Sequence, residues 1–443
     1  MMSHWNKIMF VGATVCLLLA NTACTEASYV VGWKNQIGTT EIEYPYGLGA
    51  DANGHIYMAG VTNGGLDGPP LGDWDAFLAR FAPDGSHIWT RQLGTPSKDV
   101  AYTMGVAPDG GGDVCIAGST NGSLNGPNAG GRDIFVSKYN AGGSLLWTAQ
   151  NGTTRDDRAG ACAVDSSGNV FVAGNTFGDL EGLNAGGEDV FLQKYSPSGA
   201  LLWTVQTGTS GDESAGDCAI DSSGNVVLTG RTQRDLGGPS LGSVDAFVLK
   251  YDTDGNEIWT THVGGAGQDS GYAIATDGNG SLYVAGGTTG DIAGSHGQDD
   301  AFLCKLRNAD GSLIWARQLG TNSNDWGYDV AVDRDGNVFI GGGFRHNHFA
   351  VPRLGDVFIA KYTPYGLTQW TAEFDASDYD YLWGLTTDGN GNVIAAGWTE
   401  GPLGGPHAGS VDAFILQLNV PEPATLSLLA PGGLTLIRRR RVK

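Results

Sequence analysis

Short apolar runs alternate with turn-forming residues along the chain. In one representative stretch, "ESAGDCAID" (213–221) is followed by "SSG", "NVVLTGRT", a longer loop, "DAFVLKY", the turn "DTDGN" and "EIWTTHV". Asp, Ser, Gly and Asn favour turns, so this stretch predicts four short strands. No segment of ten or more residues shows a helical apolar period. Because runs such as "DAFVLKY" are almost continuously apolar, we expect strands that are covered on both faces.

The four-strand unit recurs seven times, at intervals of 55 to 58 residues, most often 56. One marker is a tryptophan in the fourth strand: Trp33, Trp89, Trp147, Trp203, Trp259, Trp315 and Trp370. A second marker is the Asp that starts the third strand: Asp75, Asp133, Asp189, Asp245, Asp300, Asp356 and Asp412. Seven repeats of four strands without helices predict an all-β, seven-bladed β-propeller.

The two ends of the repeat region indicate how the ring closes. Residues 29–37, "YVVGWKNQI", match a fourth strand, whereas the last repeat ends after "DAFILQLN" without one. We therefore predict that the N-terminal strand completes the seventh blade and that residues 28–419 form one propeller. The repeated tryptophans are either packing residues between blades or stacking platforms for a ligand, and their equivalence favours packing.

The repeat resembles a known family. Residues 135–176, "FVSKYNAGGSLLWTAQNGTTRDDRAGACAVDSSGNVFVAGNT", resemble the bacterial β-propeller repeat called SBBP. The resemblance extends over residues 29–419 and weakens near the end, where Leu385-Thr386-Thr387-Asp388 replaces Ala-Val-Asp. It implies a propeller fold and an exported protein, and it supplies no established catalytic residues.

The N-terminus has the layout of a secretory signal peptide. Lys7 precedes an apolar stretch from Ile8 to Ala20, and small residues follow at Ala23 and Ala27. We interpret residues 1–27 as a signal peptide, because the apolar stretch is short for a membrane span. Cys24 leaves lipidation as an alternative to simple cleavage.

The C-terminal segment, residues 420–443, resembles the PEP-CTERM sorting signal. Its features are a Pro-Glu-Pro, an interrupted apolar stretch and a basic end. The residues that match are Pro421, Glu422, Pro423, Arg438, Arg439, Arg440 and Arg441. The resemblance implies processing by an exosortase-type enzyme, only transient contact with the membrane, and delivery to the cell surface or an exopolysaccharide matrix. A tail anchor with a positively charged inner end is the alternative.

Charge limits the choice of partners. The chain has a net charge of −22 and 72 glycines among 443 residues. Lys7 cancels Glu26, and the C-terminal arginines with Lys443 outweigh Glu422 by four, so the propeller region carries −26. Nucleic acid and anionic membrane surfaces both favour Lys and Arg, so we expect neither as a partner.

One acidic residue precedes the first strand of every unit. The set is Glu43, Asp99, Asp157, Glu213, Asp269, Asp325 and Asp380. First strands line the channel of a propeller, so these carboxylates could form a ring near its mouth, beside the long loops between second and third strands. Such a ring would attract a cation or a basic partner. The alternative is that each carboxylate caps a backbone turn.

The sixth unit has the most distinctive long loop. It contains His346 and His348 beside Arg345 and Arg353, and alternate histidines on an extended segment could bind a metal. No third ligand accompanies them, so we predict a binding surface without a metal. The turns "DSSGN" at Asp165 and Asp221 resemble the start of a calcium loop but lack its remaining ligands, so we interpret them as turns.

The leading hypothesis is therefore an exported, non-enzymatic binding or structural module without a cofactor. Surface glycans or envelope proteins are its expected partners. The second hypothesis is an extracellular enzyme that acts on polysaccharide, since paired carboxylates can hydrolyse glycosidic bonds. Cys115, Cys162, Cys218 and Cys304 lie in different blades, and we expect buried thiols rather than disulfides.

Overall fold

A computed structural model describes residues 29–102, 107–108, 112–294, 297–345, 356–374, 380–403 and 405–419. Over these ranges the chain forms seven antiparallel sheets and contains no helix. The sheets are the blades of a ring, which confirms the predicted seven-bladed β-propeller. In the described part of the chain, no helix is long and apolar enough to cross a membrane.

The strand that begins the described chain, β1 (Val30–Ile37), belongs to the last blade. Blade 1 contains β2 (Glu43–Ala50), β3 (Ile56–Thr62), β4 (Asp75–Phe81) and β5 (His87–Leu93). Blade 2 contains β6 (Asp99–Val100), β7 (Ala107–Pro108), β8 (Val114–Thr120), β9 (Asp133–Tyr139) and β10 (Leu145–Asn151). Blade 3 contains β11 (Asp157–Val164), β12 (Val170–Thr176), β13 (Asp189–Tyr195) and β14 (Leu201–Thr207).

The remaining blades follow the same order from the channel to the rim. Blade 4 contains β15 (Glu213–Ile220), β16 (Val226–Thr232), β17 (Asp245–Tyr251) and β18 (Glu257–Val263). Blade 5 contains β19 (Asp269–Thr276), β20 (Ser281–Thr288), β21 (Asp300–Arg307) and β22 (Leu313–Leu319). Blade 6 contains β23 (Asn324–Val332), β24 (Val338–Arg345), β25 (Asp356–Tyr362) and β26 (Thr368–Phe374). Blade 7 contains β27 (Asp380–Thr387), β28 (Val393–Thr399) and β29 (Asp412–Asn419), completed by β1.

The ring closes through β1 and β29. These strands pair antiparallel from Val30 opposite Asn419 to Ile37 opposite Ala413. The first and last strands of the described chain therefore share one sheet, as the sequence predicts. Because the closing pair belongs to the same sheet as β27 and β28, the ring cannot divide into two independent domains.

The core lies between neighbouring blades. The second and third strands are almost fully buried along their length, as in β9 and β13, because each blade packs between its two neighbouring blades. Phenylalanines fill these interfaces; Phe171 of blade 3 packs 6.0 Å from the Trp203 ring of the same blade, centroid to centroid. Each fully buried Phe contributes about 1.5–3 kcal/mol of apolar transfer free energy.

The repeated tryptophans join each blade to the next. In six of the seven the indole N–H donates to a carbonyl oxygen in the turn between the third and fourth strands of the following blade. The pairs are Trp33–Pro83 (3.1 Å), Trp89–Ala141 (3.1 Å), Trp147–Pro197 (3.0 Å), Trp203–Thr253 (3.3 Å), Trp259–Asn308 (3.3 Å) and Trp315–Pro364 (3.2 Å).

A glycine of the same turn lies against the ring. Gly85 has a φ of 79°, and a Cβ there would lie 2.4 Å from the Trp33 ring. Only glycine satisfies both the backbone conformation and the close approach. These contacts confirm the interpretation of the tryptophans as packing residues between blades.

Trp370 of blade 6 is the exception, because it faces blade 7, where the ring closes. Blade 7 has no chain connection between its third strand, β29, and its fourth, β1, so no such turn faces Trp370. Instead the Tyr29 ring lies 5.7 Å from it, and within the described residues the Trp370 indole N–H has no acceptor. The closure therefore replaces a hydrogen bond by an aromatic contact.

Candidate functional site

The seven acidic residues that precede the first strands are buried, at 0–2% exposure. Glu43 shows the pattern: it accepts hydrogen bonds from the Thr39 backbone N–H (2.8 Å), the Thr39 hydroxyl (2.7 Å) and the Thr62 hydroxyl (2.7 Å). Glu213 accepts the equivalent three bonds from Thr209 and Thr232. The carboxylate thus ties the turn that enters the blade to the second strand.

This geometry corrects the expectation of an open ring of charge. Asp99, Asp157, Asp269 and Asp325 also accept hydrogen bonds within their turns, and Asp380 is buried at the same position. Burial raises the pKa of Glu43, Asp99, Asp157 and Asp269, because the charged form loses water. The residues match the turn-capping alternative.

The "DSSGN" turns are also satisfied internally. The carboxylate of Asp165 accepts the backbone N–H groups of Ser167 and Asn169, both at 2.9 Å, and the Asn169 side-chain amide at 2.7 Å. At the equivalent position, the Asp221 carboxylate also forms an ion pair with Lys250 of its own blade at 2.7 Å. This ion pair helps to lower the pKa of Asp221 to about 2 despite burial. The described residues contain no group of three or more His, Cys, Asp or Glu side chains arranged for a metal.

Most of the distinctive loop of the sixth unit lies outside the described residues. Arg345 ends β24, whereas His346, His348 and Arg353 lie outside the described residues. The predicted signal peptide and the predicted sorting signal, residues 1–27 and 420–443, also lie outside them. The four cysteines are buried as expected, and the Cys162 thiol donates to the carbonyl oxygen of Cys115 at 3.6 Å.

The first strand carries a second set of positions, one and three residues after the acidic residue. Because side chains alternate along a strand, these residues face the channel while the acidic residue is buried. In blades 5, 6, 7, 1 and 2 the third position after the acid is aromatic: Tyr272, Tyr328, Trp383, Tyr46 and Tyr102. In blades 3 and 4 the same position is Gly160 or Gly216.

Four of these rings, in blades 5, 6, 7 and 1, form a continuous row. The centroid of Tyr328 lies 4.5 Å from that of Trp383 and 5.8 Å from that of Tyr272, and Tyr46 meets Trp383 edge to face at 5.8 Å. Burial, with the nearby Tyr44, raises the pKa of Tyr46 to about 12, so its hydroxyl stays neutral.

A second row lies beside the first, towards the long loops. It is formed by Trp74, Tyr44, Trp398 and Tyr381. Tyr44 stacks on Trp74 at 6.1 Å, and Tyr381 stacks on Trp398 at 4.6 Å. Tyr44 also contacts Trp398 edge to face at 5.4 Å, which joins blade 1 to blade 7. One side of the channel is therefore a wide aromatic surface.

A cavity of 380 Å³ lies where the aromatic row meets the glycine side of the channel. It is lined by the aromatic rings of Tyr272, Tyr328 and Trp383 and by the polar residues Ser214, Ser270 and Arg231. Its volume falls within the range of small-molecule sites. We call these six residues, with Gly216 between them, the channel pocket.

Arg231 gives the channel pocket a positive group. It lies on β16 opposite Ser214 and is exposed. Its guanidinium makes no hydrogen bond or ion pair with any described residue. Burial raises the pKa of the Tyr272 hydroxyl, and the Ser270 hydrogen bond and the Arg231 charge oppose that rise. Arg158 of blade 3, by contrast, is paired with Asp156 at 2.9 Å and Glu188 at 3.5 Å.

The other end of the channel holds two buried acids. Asp217 accepts the backbone N–H groups of Cys218 (2.7 Å) and Ile274 (2.9 Å), and so bridges blades 4 and 5. Asp329 accepts those of Val330 and Leu385, and so bridges blades 6 and 7. Burial raises the pKa of Asp217 to about 7 and raises that of Asp329 strongly, with the Asp217 charge adding to the second shift.

The fold and the pocket define a seven-bladed β-propeller with an aromatic channel. Residues 88–125, 258–293 and 314–342 match the SBBP family, described as a beta-propeller repeat. The resemblance to this repeat is thereby confirmed for those three segments, each of which spans parts of a unit.

Two curated proteins are similar over part of the chain. The regulatory protein FlaEY of Caulobacter vibrioides is 31% identical over 237 residues, which cover 48% of this chain and 24% of that protein. An uncharacterized WD repeat-containing protein of Acanthamoeba polyphaga mimivirus is 24% identical over 371 residues, 61% of this chain and 26% of that protein. The chain thus spans about a quarter of the length of these relatives.

Among solved structures, the polysaccharide lyase Uly1 superposes with a TM-score of 0.53 at 10% identity, covering 88% of this chain and 100% of that one. At this identity the similarity shows the propeller fold alone.

Sequence reasoning missed the channel pocket because it searched the repeats for what they share. A usable signal is nevertheless present. The stretches "EYPY" (43–46), "DWGY" (325–328) and "DYLW" (380–383) place aromatic residues on alternate positions directly after the acid. Alternation on a strand that lines a channel puts both rings into it.

Proposed function

We propose that this protein is an exported propeller of the cell surface or extracellular matrix, and that it acts as a non-enzymatic binding module. An exosortase-type enzyme would process its C-terminal segment, and surface glycans or envelope proteins would be its partners. The observation that carries the binding role is the channel pocket, where three aromatic rings and an unpaired guanidinium face one cavity. Half-buried aromatic rings beside a polar group in a cavity are characteristic of recognition sites.

Export is supported by the two terminal segments of the sequence. The layout of residues 1–27 favours secretion, and residues 420–443 carry Pro421-Glu422-Pro423 and the run Arg438 to Arg441 in the order of a sorting signal.

Fractionation of cells tests the proposed location. We expect the full chain in the surface or matrix fraction, and a chain that ends at Asn419 in a different one. Identical distribution of the two forms would contradict sorting through the C-terminal segment. Incubation of the purified chain with a panel of polysaccharides tests the non-enzymatic role, for which we expect no change in chain length or reducing ends.

A further inference from the structure

We propose that the channel pocket binds an acidic sugar residue, a pyranose ring that bears one carboxylate, within a mainly neutral glycan. This inference rests on the proposed binding function and specifies its ligand. It assigns the aromatic wall to the sugar ring and Arg231 to the carboxylate.

The aromatic wall suits a sugar because a pyranose presents a face of C–H groups. Aromatic faces carry negative charge density, which attracts such weakly positive hydrogens. Tyr328 and Trp383 lie 4.5 Å apart with their planes inclined by 35°, and Tyr272 and Tyr328 lie 5.8 Å apart at 36°. The three rings therefore form a row of tilted contacts across three blades rather than a parallel stack.

The pocket also supplies polar groups and space. Ser214 and Ser270 occupy the position one residue after the acid in blades 4 and 5, and both line the cavity. Ser270 lies beside Tyr272 and is hydrogen-bonded to it, and the Ser214 hydroxyl donates to the Asn175 side-chain oxygen at 3.4 Å. Gly216 leaves room where other blades carry a ring. Sugars need both an apolar face and polar partners at the edge of the ring, and this pocket has both.

Arg231 determines the charge of the ligand. A guanidinium matches a carboxylate with two parallel hydrogen bonds, and such charge-assisted bonds are about twice as strong as neutral ones. Because Arg231 has no anionic partner among the described residues, it is available to an external carboxylate. A cationic ligand in the same aromatic surroundings would meet this guanidinium at close range and be repelled.

The net charge limits how acidic the ligand can be. The propeller region carries −26, so a polymer with a carboxylate on every residue would be repelled over its length. One carboxylate at Arg231, with neutral sugars on either side, satisfies the local positive charge without that penalty.

Calorimetric titration of the purified full-length chain tests the inference with three probes. The first is a xylose oligosaccharide that bears one glucuronate, the second is the same oligosaccharide after reduction of the carboxylate to an alcohol, and the third is choline. We expect the acidic probe to bind roughly tenfold more tightly than its reduced form, a difference of about 1.4 kcal/mol. We expect no binding of choline.

Variants separate the two halves of the pocket. Arg231→Gln should make the two oligosaccharides bind equally, and Arg231→Lys should restore part of the preference. Trp383→Ala should weaken both by a similar factor. Arg307→Gln is the matched control, because Arg307 is exposed in a turn and paired with Asp310 at 3.2 Å. Unchanged thermal unfolding of each variant shows that it is folded.

Equal affinity for the two oligosaccharides, an unchanged preference in Arg231→Gln, binding of choline alone, or no binding of any probe would each overturn the inference. None of these results bears on the cell fractionation, which tests the proposed location separately. Cleavage of a probe during titration would instead contradict the non-enzymatic role.

Discussion

The first strand of each blade contains two kinds of position that behave oppositely. At its start stands an acidic residue in all seven blades, and this residue is buried and hydrogen-bonded within the protein. One and three residues later, in blades 1 and 3 to 7, the same strand carries Tyr, Trp, Arg, Ser or Gly, and these positions face the channel. The repeated positions hold the ring together, whereas the positions that differ between blades give the channel its chemistry.

The largest expected effect is at the repeated position. Asp157→Ala removes the acceptor of the Thr153 N–H, the Thr153 hydroxyl and the Thr176 hydroxyl, and leaves buried donors unsatisfied. Because each such donor costs about 1–3 kcal/mol, we expect a loss of about 3–5 kcal/mol in the free energy of unfolding. Denaturant titration measures it.

The matched control is Asp254→Ala, since Asp254 is exposed in a turn of blade 4. We expect a change within about 0.5 kcal/mol there. If Asp157→Ala were as mild as this control, the repeated acid would not be a structural residue.

The next effect depends on pH. Asp217 has a folded-state pKa of about 7, raised by burial from 3.8, so the folded protein holds this proton more tightly than the unfolded chain. Stability is therefore greatest at low pH and falls as the pH rises through 7. We expect Asp217 to cost about 2–3 kcal/mol between pH 5 and pH 8, at about 1.4 kcal/mol per pKa unit.

Unfolding of the wild type and Asp217→Asn across this range isolates the contribution. The variant loses one acceptor and is less stable throughout, but its stability should fall less steeply with pH. Parallel curves would show that Asp217 is not the group that titrates.

The smallest expected effect concerns two glycines that face the channel, Gly216 and Gly160. A Cβ at Gly216 would lie 2.5 Å from the Gly271 carbonyl oxygen, whereas one at Gly160 would lie 3.4 Å from that of Ala215. We expect Gly216→Ala to destabilise by about 1–2 kcal/mol through overpacking, and Gly160→Ala to be tolerated. Differences in melting temperature measure both. Equal tolerance would mean that neighbouring inner strands can separate at blade 4.

The fold could be predicted because the markers repeat. Seven tryptophans and seven third-strand Asp residues fix the unit length, and the match of residues 29–37 to a fourth strand fixes the closure. The packing role of the tryptophans could also be predicted from the sequence. Their carbonyl partners in the next blade could not, because each partner lies about 50 residues away along the chain.

The site was harder to predict for the same reason. A repeat consensus draws attention to residues that are equal in every unit, such as Glu43 and Asp99, and these are buried. The channel pocket is formed by Tyr272, Tyr328, Trp383 and Arg231, which are unequal across units and come from four blades. Whether these four side chains line one cavity depends on the curvature of the ring, and the repeat pattern does not predict which side chains of different blades come together in the channel.

The closing strand pair has a further consequence for orientation. Third strands run from the face of the long loops to the opposite face, so β29 ends at Asn419 on the side away from the channel pocket. Val30 lies directly opposite Asn419, so the chain enters and leaves the ring at one point of that side. A propeller attached through residues beyond Asn419 would be held at the face opposite the channel pocket, and the pocket would then face away from the point of attachment.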